Sequence, residues 1–385
     1  MSDSNRVSLS YVKETTYGTV PTSVAYAALR FTKESLEQAT TSAKSTEIRS
    51  DCQIADVIRT DAKVSGAIDF ELTYGSFDDF LAWTLMTSET WVAGCASTAA
   101  ANLAAATGPN TFTLGSGTWD ASAIAGKFLY VTGATNAANN GFHLITARTS
   151  TTVLAIAETL VSETITSAHY EVLAQITNGT TLSTCSIEKC FNDVASTFAV
   201  YNGCAMDQLS LTVPASGIIT GSFTLMGKTE ASASATGSST ITAANTNAVM
   251  AAVDCVKGVL ENYLAADITE FTLAANNNLR ARTVAGQLGP QSLGLGAVMV
   301  SGTLKRYFSD ALMMGRYLAF TSSSLVVPMY NSNGDYVVHV PCIKYTDGKR
   351  VAGGQNTDII ADMTWEAKRD PTLGTTISIN KRVGP

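Results

Sequence analysis

One long pattern occurs twice in this chain of 385 residues, and it limits the possible folds more than any single residue does. Residues 64–86 predict a strand and then a helical stretch, with Gly66 near the start of the strand. The same strand and helix pattern begins again around Gly302. Residues 183–228 and 324–368 then each predict three strands joined by turns. The chain therefore contains two copies of one β-rich unit, and repeated units often lie side by side in a symmetric assembly.

The composition narrows the functional class. Hydrophobic residues make up 45% of the chain and charged residues only 15%, which favours sheets with large protein-facing surfaces over disorder. The net charge of −7 and the lack of a basic patch exclude a protein that grips nucleic acid through its phosphates. The 7 cysteines without a CxxC predict free, mostly buried thiols, and we expect a cytoplasmic product with no signal peptide or membrane span.

Residues 64–74 alternate strictly between two kinds of side chain. Val64, Ile68 and Phe70 share one face, which predicts the core, whereas Asp69 and Glu71 share the other. A serine and an aspartate at positions 76 and 79 predict a capping box at the start of the helix. The apolar stripe of that helix is Phe77, Phe80, Leu81, Thr84 and Leu85.

Short predicted strands at about ten-residue spacing, separated by Gly and Asn-Gly turns, fill residues 96–174. This pattern interrupts the first copy and predicts an inserted β-sandwich. The expected division of the chain is a first domain over 1–95 and 175–230, the insert over 96–174, a linker over 231–250 and a second domain over 251–385.

Residues 30–63 differ from the rest because about a third of them are charged, with acids and bases interleaved. Two interpretations are open: a solvated exposed loop, or a long arm that makes charge-complementary contacts with a neighbouring subunit. Balanced charge favours the arm. Its predicted contact residues are Lys44, Glu47, Arg49, Asp51, Asp56 and Arg59.

Catalytic motifs are missing from the sequence. His143, His169 and His339 are isolated, and no P-loop, nucleophile elbow or zinc-type spacing occurs. Cys185 and Cys190 lack further ligands for a metal. We therefore expect neither an enzyme nor a bound cofactor or metal.

Five segments, in order, resemble a known family. Residues 14–21 fit the E-x-x-x-G-T-x-P start of siphophage-type major tail tube proteins, and residues 29–36 are similar to the segment that follows. Residues 48–51 resemble an I-R-x-D element, and residues 64–81 fit V-x-G-x-I-x-x-E-L-x-Y-G-x-F-D-x-x-L. Residues 336–341 resemble the Y-x-I-x-L-P strand, and the insert is similar to the immunoglobulin-like decoration modules of tail proteins.

This resemblance implies two tandem tail tube domains, each a β-sandwich or barrel with a short helix. Such domains form stacked rings, usually of six domains, whose inner sheets join into one barrel that conducts double-stranded DNA. Two domains in one chain imply a ring of three chains with pseudo-sixfold symmetry. The expected partners are other copies of the chain, the tail terminator, tape measure and tail tip proteins, and DNA in passage, in a virion tail assembled in the bacterial cytoplasm.

The alternation of side chains supplies candidates for the channel wall. Acidic side chains repel phosphates and let DNA slide. The predicted lumen-facing acids are Asp69, Glu71, Asp362 and Glu366, whereas Lys305 and Arg306 fit this wall poorly. A rival interpretation is a capsid-decoration protein or surface adhesin that binds carbohydrate through the insert.

Overall fold

The computed structural model describes residues 3–87, 91–97, 101–256, 258–352 and 354–383. After a 3-10 turn at Ser4–Arg6, the chain forms β1 (Val7–Lys13), β2 (Ala25–Leu29), β3 (Lys33–Glu34), β4 (Glu37–Lys44), β5 (Val57–Glu71) and α1 (Asp78–Thr84). The insert contains β6 (Cys95–Ala96), β7 (Ala101–Ala106), β8 (Thr111–Leu114), β9 (Phe128–Thr132), a 3-10 turn (Ala137–Asn139), β10 (Gly141–Arg148), β11 (Val153–Ile156) and β12 (Glu163–Val172).

The chain then forms β13 (Ala174–Thr177), β14 (Cys185–Phe191), β15 (Phe198–Pro214), β16 (Thr220–Gly227), β17 (Thr229–Ala233) and β18 (Thr240–Thr242). The last part contains α2 (Ala252–Cys255), β19 (Val259–Glu261), β20 (Leu264–Ala266), β21 (Ile268–Asn276), β22 (Arg280–Arg282), β23 (Ser292–Gly294), β24 (Met299–Tyr307), α3 (Leu312–Leu318), β25 (Ser323–Asn331), β26 (Gly334–Arg350), β27 (Ile360–Ala367) and β28 (Ser378–Val383). We call β1–β5, α1 and β14–β17 the first unit, and β19–β28 with α3 the second unit.

Eight strands of the two units form one continuous antiparallel sheet, the shared sheet. Its order is β4–β5–β16–β15–β21–β24–β27–β26, so each unit contributes four neighbouring strands. β15 of the first unit pairs with β21 of the second from Gln208–Asn276 to Pro214–Glu270, and we call this pairing the internal seam. The two units therefore lie edge to edge. The mainly β fold with a short helix in each unit is confirmed.

The two longest strands, β15 and β26, each belong to two layers. Their C-terminal halves lie in the shared sheet, and their N-terminal halves pair with β14 and β17 or with β25 and β28 in a second layer. The space between the layers is one core for both units. Phe70 stacks on Phe223 at 4.7 Å between ring centroids, and Phe271 stacks on Trp365 at 6.0 Å. No described helix is long and apolar enough to cross a membrane.

The two units interrupt their strand pairing at corresponding places. Each has a β-bulge in its long strand, and another where the preceding strand pairs with it. The register shifts lie at Met206/Gln208 and Cys185/Ile187 in the first unit, and at Tyr345/Asp347 and Ser323/Leu325 in the second. Because bulges redirect every following side chain, this agreement aligns the units residue by residue.

The helices α1 and α3 end in the same way. Met86 and Phe320, the second residue after each helix, have positive φ angles of 50° and 49°. Their N–H groups donate to Trp83 O at 3.1 Å and to Tyr317 O at 3.0 Å. Equivalent positions in the two helices can therefore be compared directly.

The capping box expected at Ser76 and Asp79 is wrong. The helix begins after Phe77, and its N-cap side chain makes no hydrogen bond to the helix. The Ser76 hydroxyl instead accepts from Thr73 Oγ1 at 2.6 Å and donates to Asn245 Oδ1 at 3.0 Å. The hydroxyl that was expected to cap the helix is thus hydrogen-bonded to Asn245, a residue distant in the sequence. The predicted apolar stripe of α1 is buried throughout.

The insert closes on itself in a ring of six strands, β12–β7–β8–β11–β10–β9, with β9 paired back to β12. β10 and β12 each bend at a register shift, so both strands take part in the two halves of the insert. This small barrel differs from the two open sheets of the immunoglobulin-like sandwich that was expected.

The insert also packs on the second unit. Along β9, Leu129 lies in the barrel core, while Phe128 packs with Val326 and Val337 of the second unit. The Phe128 ring meets the His339 ring edge-on at 5.3 Å. Burial lowers the pKa of His339 to about 4, so this imidazole is neutral at pH 7. The insert therefore covers apolar side chains that the second unit does not bury by itself.

The close approach of β21 and β24 is tested by Gly302→Ala. A Cβ at Gly302 would lie 2.0 Å from the Thr272 carbonyl oxygen and 2.6 Å from Trp365. We expect this variant to lose about 2–4 kcal/mol of unfolding free energy in urea titrations, because the shared sheet must shift. The matched control is Gly315→Ala in α3, where a Cβ meets nothing within 4 Å. It should gain about 0.5–1 kcal/mol. Equal stability of the two variants would contradict the packing.

Candidate functional site

The face of the shared sheet that points away from the core is small and polar. We call it the open face, because its described side chains are partly or fully exposed. Thr272 and Thr303 lie side by side on it with their hydroxyl oxygens 2.8 Å apart. Five threonines follow one register line across five strands: Thr220, Thr212, Thr272, Thr303 and Thr364.

All four acids predicted for a channel wall lie on the open face. Asp69 and Glu71 project from β5, and Asp362 and Glu366 project from β27. They alternate along both strands with buried residues such as Phe70. The period-2 pattern of the sequence therefore separates these acids from the core-facing side chains of the same strands, and their place on a channel wall stays a prediction.

Lysines stand opposite three of these four acids. The register pairs are Lys33 with Asp69, Lys305 and Lys349 with Asp362, and Lys344 with Glu366, whereas Glu71 faces Thr220. The open face is therefore closer to charge balance than the acids alone suggest.

Four charged side chains form a ladder across the second unit. Glu270, Lys305, Asp362 and Lys349 occupy successive strands β21, β24, β27 and β26. Lys305 Nζ lies 3.0 Å from Glu270 Oε1, and Lys349 Nζ lies 3.6 Å from Asp362 Oδ2. The hydrogen bond to Glu270 raises the pKa of Lys305. Lys305 thus belongs to a line of alternating signs.

Arg306 points into the core side of the sheet, where only 9% of it is exposed. Its Nη2 donates to Ser309 Oγ at 2.6 Å and to Asp310 Oδ2 at 2.9 Å. The guanidinium therefore closes the loop between β24 and α3 and takes no part in the open face.

A second polar cluster joins the two units and was not predicted. Asp78, the first residue of α1, accepts hydrogen bonds from Tyr336 Oη and Lys381 Nζ, each at 2.6 Å. The Lys381 ammonium also lies 4.3 Å from the centre of the Trp91 ring. These partners are distant in the sequence from Asp78, so only the fold brings them together.

The charged segment is a regular hairpin that projects from the shared sheet. β4 and β5 stay paired out to Lys44 and Val57, and we call residues 42–59 the arm. Arg49 and Asp51 form an ion pair with Nη2 and Oδ2 2.7 Å apart, which lowers the pKa of Asp51. All six predicted contact residues are exposed: Lys44, Glu47, Arg49, Asp51, Asp56 and Arg59.

Sequence reasoning missed the apolar side chains of the arm. Ile48 is 99% exposed, and Ile54 and Ile58 are each 58% exposed. Several large apolar side chains so close together on one projection are typical of an interaction surface. Their signal in the sequence was concealed by the interleaved charges around them.

Among the described residues, no group of three or more His, Cys, Asp or Glu side chains is placed to hold a metal ion. A family model described as phage tail tube protein matches residues 4–367. The chain belongs to the phage tail tube protein family. It is therefore a structural component of a phage tail, and its family assembles with copies of itself into a tube. No curated protein matches the chain significantly.

The buried contacts of Glu14 show what the glutamate of the N-terminal motif does in this tail tube protein. Its carboxylate is 4% exposed and accepts hydrogen bonds from the Gly18 and Gly203 N–H groups at 2.8 and 2.7 Å. The hydroxyls of Thr184 and Ser186 donate to it at 2.9 and 2.7 Å. Four donors satisfy one buried charge, so this side chain ties the N-terminal loop of the tail tube protein to β14 and β15.

Reversal of one charge tests the ladder of this tail tube protein. Lys305→Glu would place three carboxylates on neighbouring strands, so we expect a loss of about 1 kcal/mol in unfolding free energy. The loss should shrink as salt rises, because these side chains are more than a third exposed. Lys305→Arg, which keeps the charge, is the control. Equal urea midpoints for the two variants at low salt would show that the ladder has no energetic role.

Proposed function

We propose that this chain is the major tail tube subunit of a long, non-contractile bacteriophage tail. The observation that carries the proposal is the shared sheet, in which two homologous units already pair edge to edge through the internal seam. Continuing that arrangement round a ring gives a closed barrel, which removes exposed strand edges. Stacked rings of this kind form a tube whose lumen conducts double-stranded DNA during ejection.

Three chains complete the proposed ring, with six units in pseudo-sixfold symmetry. The matching bulges of the two units support this symmetry, because they give both units the same curvature and edge geometry. They also support the division of the chain into a first domain over 1–95 and 175–230 and a second over 251–385. The insert over 96–174 decorates the outside, and residues 231–250 link the two domains.

The open face is the proposed lumen wall. The core and second layer occupy the other side of the shared sheet, so in a closed ring the open face is the surface left for the channel. Asp69, Glu71, Asp362 and Glu366 repel the phosphate backbone, and the threonines present no cation that would hold it. Lysines tied to acids, such as Lys305, add little attraction.

The arm is the proposed contact between stacked rings. Its alternating charges suit electrostatic matching with a neighbouring ring, and Ile48 and Ile54 supply apolar area to bury. The proposed setting is a virion tail assembled in the bacterial cytoplasm, where the tube meets the tape measure inside and the terminator and tip proteins at its ends.

The alternative function, a capsid-decoration or adhesin protein that binds carbohydrate through the insert, has less support. Sugar-binding surfaces commonly present exposed aromatic rings, and three of the six Phe, Tyr and Trp rings of the insert are buried: Phe112 and Phe128 are each 0% exposed, and Trp119 is 1% exposed. Electron microscopy of the purified protein decides between these functions. Threefold rings or tubes with a central channel support the tail tube function, and monodisperse monomers at all concentrations refute it.

The lumen assignment predicts a defect in DNA ejection. Phage carrying Asp69→Lys and Glu71→Lys together should assemble normally, because neither side chain lies in the core, and should eject DNA more slowly as salt is lowered. The measurement is ejection rate against ionic strength. Asp69→Asn with Glu71→Gln is the control for lost repulsion without added attraction. Normal ejection by the lysine variant at low salt would mean that another face lines the channel.

The arm predicts a salt-dependent stacking defect. Reversing Glu47, Asp51 and Asp56 to lysine should raise the concentration needed for tube growth about tenfold at low salt while leaving single rings intact. Light scattering measures growth and microscopy counts rings. Ile48→Ser, which leaves the charge unchanged, should weaken stacking at every salt concentration. Unaltered growth of both variants would identify the arm as a solvated loop.

A further inference from the structure

The internal seam shows how the edge strand of one unit pairs with the edge strand of the next. Ser210 lies opposite Ala274 within it, and both project onto the open face. Just beyond the paired strands, the Asn277 N–H donates to Asp207 O at 2.8 Å. The Ser210 and Ala274 positions therefore form a non-hydrogen-bonded pair, the kind whose Cβ atoms lie closest.

Both ends of the shared sheet keep an unpaired edge among the described strands. β26 pairs on one side with β27 over its C-terminal half, and no described strand pairs with its other side beyond Ile343. At the opposite end, β4 pairs with β5 alone. The free edge of β26 is the counterpart of the β15 edge in the internal seam, and the free edge of β4 is the counterpart of the β21 edge.

The aligned bulges state which residues correspond. Gln208 and Asp347 each follow the bulge of their long strand directly, so they correspond. Ser210 and Lys349 each lie two residues further along, so Lys349 is the counterpart of Ser210. Ser65 and Ser301 correspond, because each precedes the glycine of the repeated strand pattern. Glu37 lies opposite Ser65 and Ala274 lies opposite Ser301, so Glu37 is the counterpart of Ala274.

The helices add an independent sign that a neighbour is absent at β26. Thr84 at the end of α1 is 1% exposed, and the Asn277 side chain from across the internal seam donates to its carbonyl oxygen at 2.8 Å. Its counterpart Leu318 at the end of α3 is 73% exposed. Likewise Met86 is 2% exposed and its counterpart Phe320 is 56% exposed. Apolar side chains are therefore exposed at the end of α3, whereas the corresponding end of α1 is buried and accepts a hydrogen bond from the second unit.

We infer that the β26 edge and the exposed end of α3 bind the β4 edge of a second copy of this chain, with Lys349 directly opposite Glu37. This inference rests on the proposed ring and adds its register and its charged contact. Asp347 then lies opposite Ala39, and the second copy covers Leu318 and Phe320. The ladder of alternating charges continues across the boundary, from Lys349 to the glutamate of the next chain.

Charge exchange tests the contact. Lys349→Glu or Glu37→Lys alone should raise the concentration for ring formation about tenfold at low salt, because like charges then face each other between chains. The double exchange should restore ring formation to within about twofold. Asp120→Lys, on the exposed insert surface, changes the net charge as much as Glu37→Lys and should leave the concentration unchanged. Failure of the double exchange to restore what each single change removes would overturn the pairing.

Cross-linking tests the register. With exposed Cys52 changed to Ser, Lys349→Cys combined with Glu37→Cys should give covalent oligomers on a non-reducing gel. The two positions stand at opposite ends of an eight-stranded sheet, about 30 Å apart, so the bond cannot form within one chain. Lys349→Cys with Ala39→Cys, displaced by two residues, is the control. Stronger cross-linking in that control would refute the register while leaving the proposed function intact. Absence of rings from the unaltered protein would instead refute the proposed function.

Discussion

The main-chain pairing of β15 with β21 is the interaction on which the rest of the structure depends. Because these strands join, two polar faces become one surface and two apolar faces close over one core. The same pairing brings Asn277 to the end of α1 and holds the second unit where Asp78 can accept from Tyr336 and Lys381. Strand edges are strongly directional, so one seam fixes both the separation and the orientation of the units.

Patterns local in the sequence predicted local structure well. The alternation over 64–72 identified the core and the polar face, and the stripe of α1 identified its buried side, because both depend only on backbone geometry. Contacts between distant segments were beyond such patterns. Ser76 hydrogen-bonds to Asn245 instead of capping α1, and Glu270 pairs with Lys305 from a neighbouring strand. The closure of the insert depends on bends in β10 and β12 that no residue type marks.

The two units have diverged where they face different surroundings. At the internal seam the open-face pair is Ser210 and Ala274, both uncharged, whereas the corresponding positions at the two free edges are Lys349 and Glu37. The two strand edges of the internal seam belong to one chain, so their pairing does not require charged side chains for specificity. In the proposed ring the two free edges select a separate molecule, and complementary charge gives that contact specificity while it opposes the pairing of like edges.

Fusion of two units changes how the tube protein grows. A contact inside one chain forms at an effective local concentration set by its linker, of the order of millimolar for short flexible linkers, and does not depend on protein concentration. In the proposed six-unit ring, half of the contacts between units are then present as soon as each chain has folded. Closure of the proposed ring then needs only three chains. A damaged unit in that ring can be replaced only by exchange of the whole chain. The tandem arrangement thus favours rapid nucleation and makes defects costly.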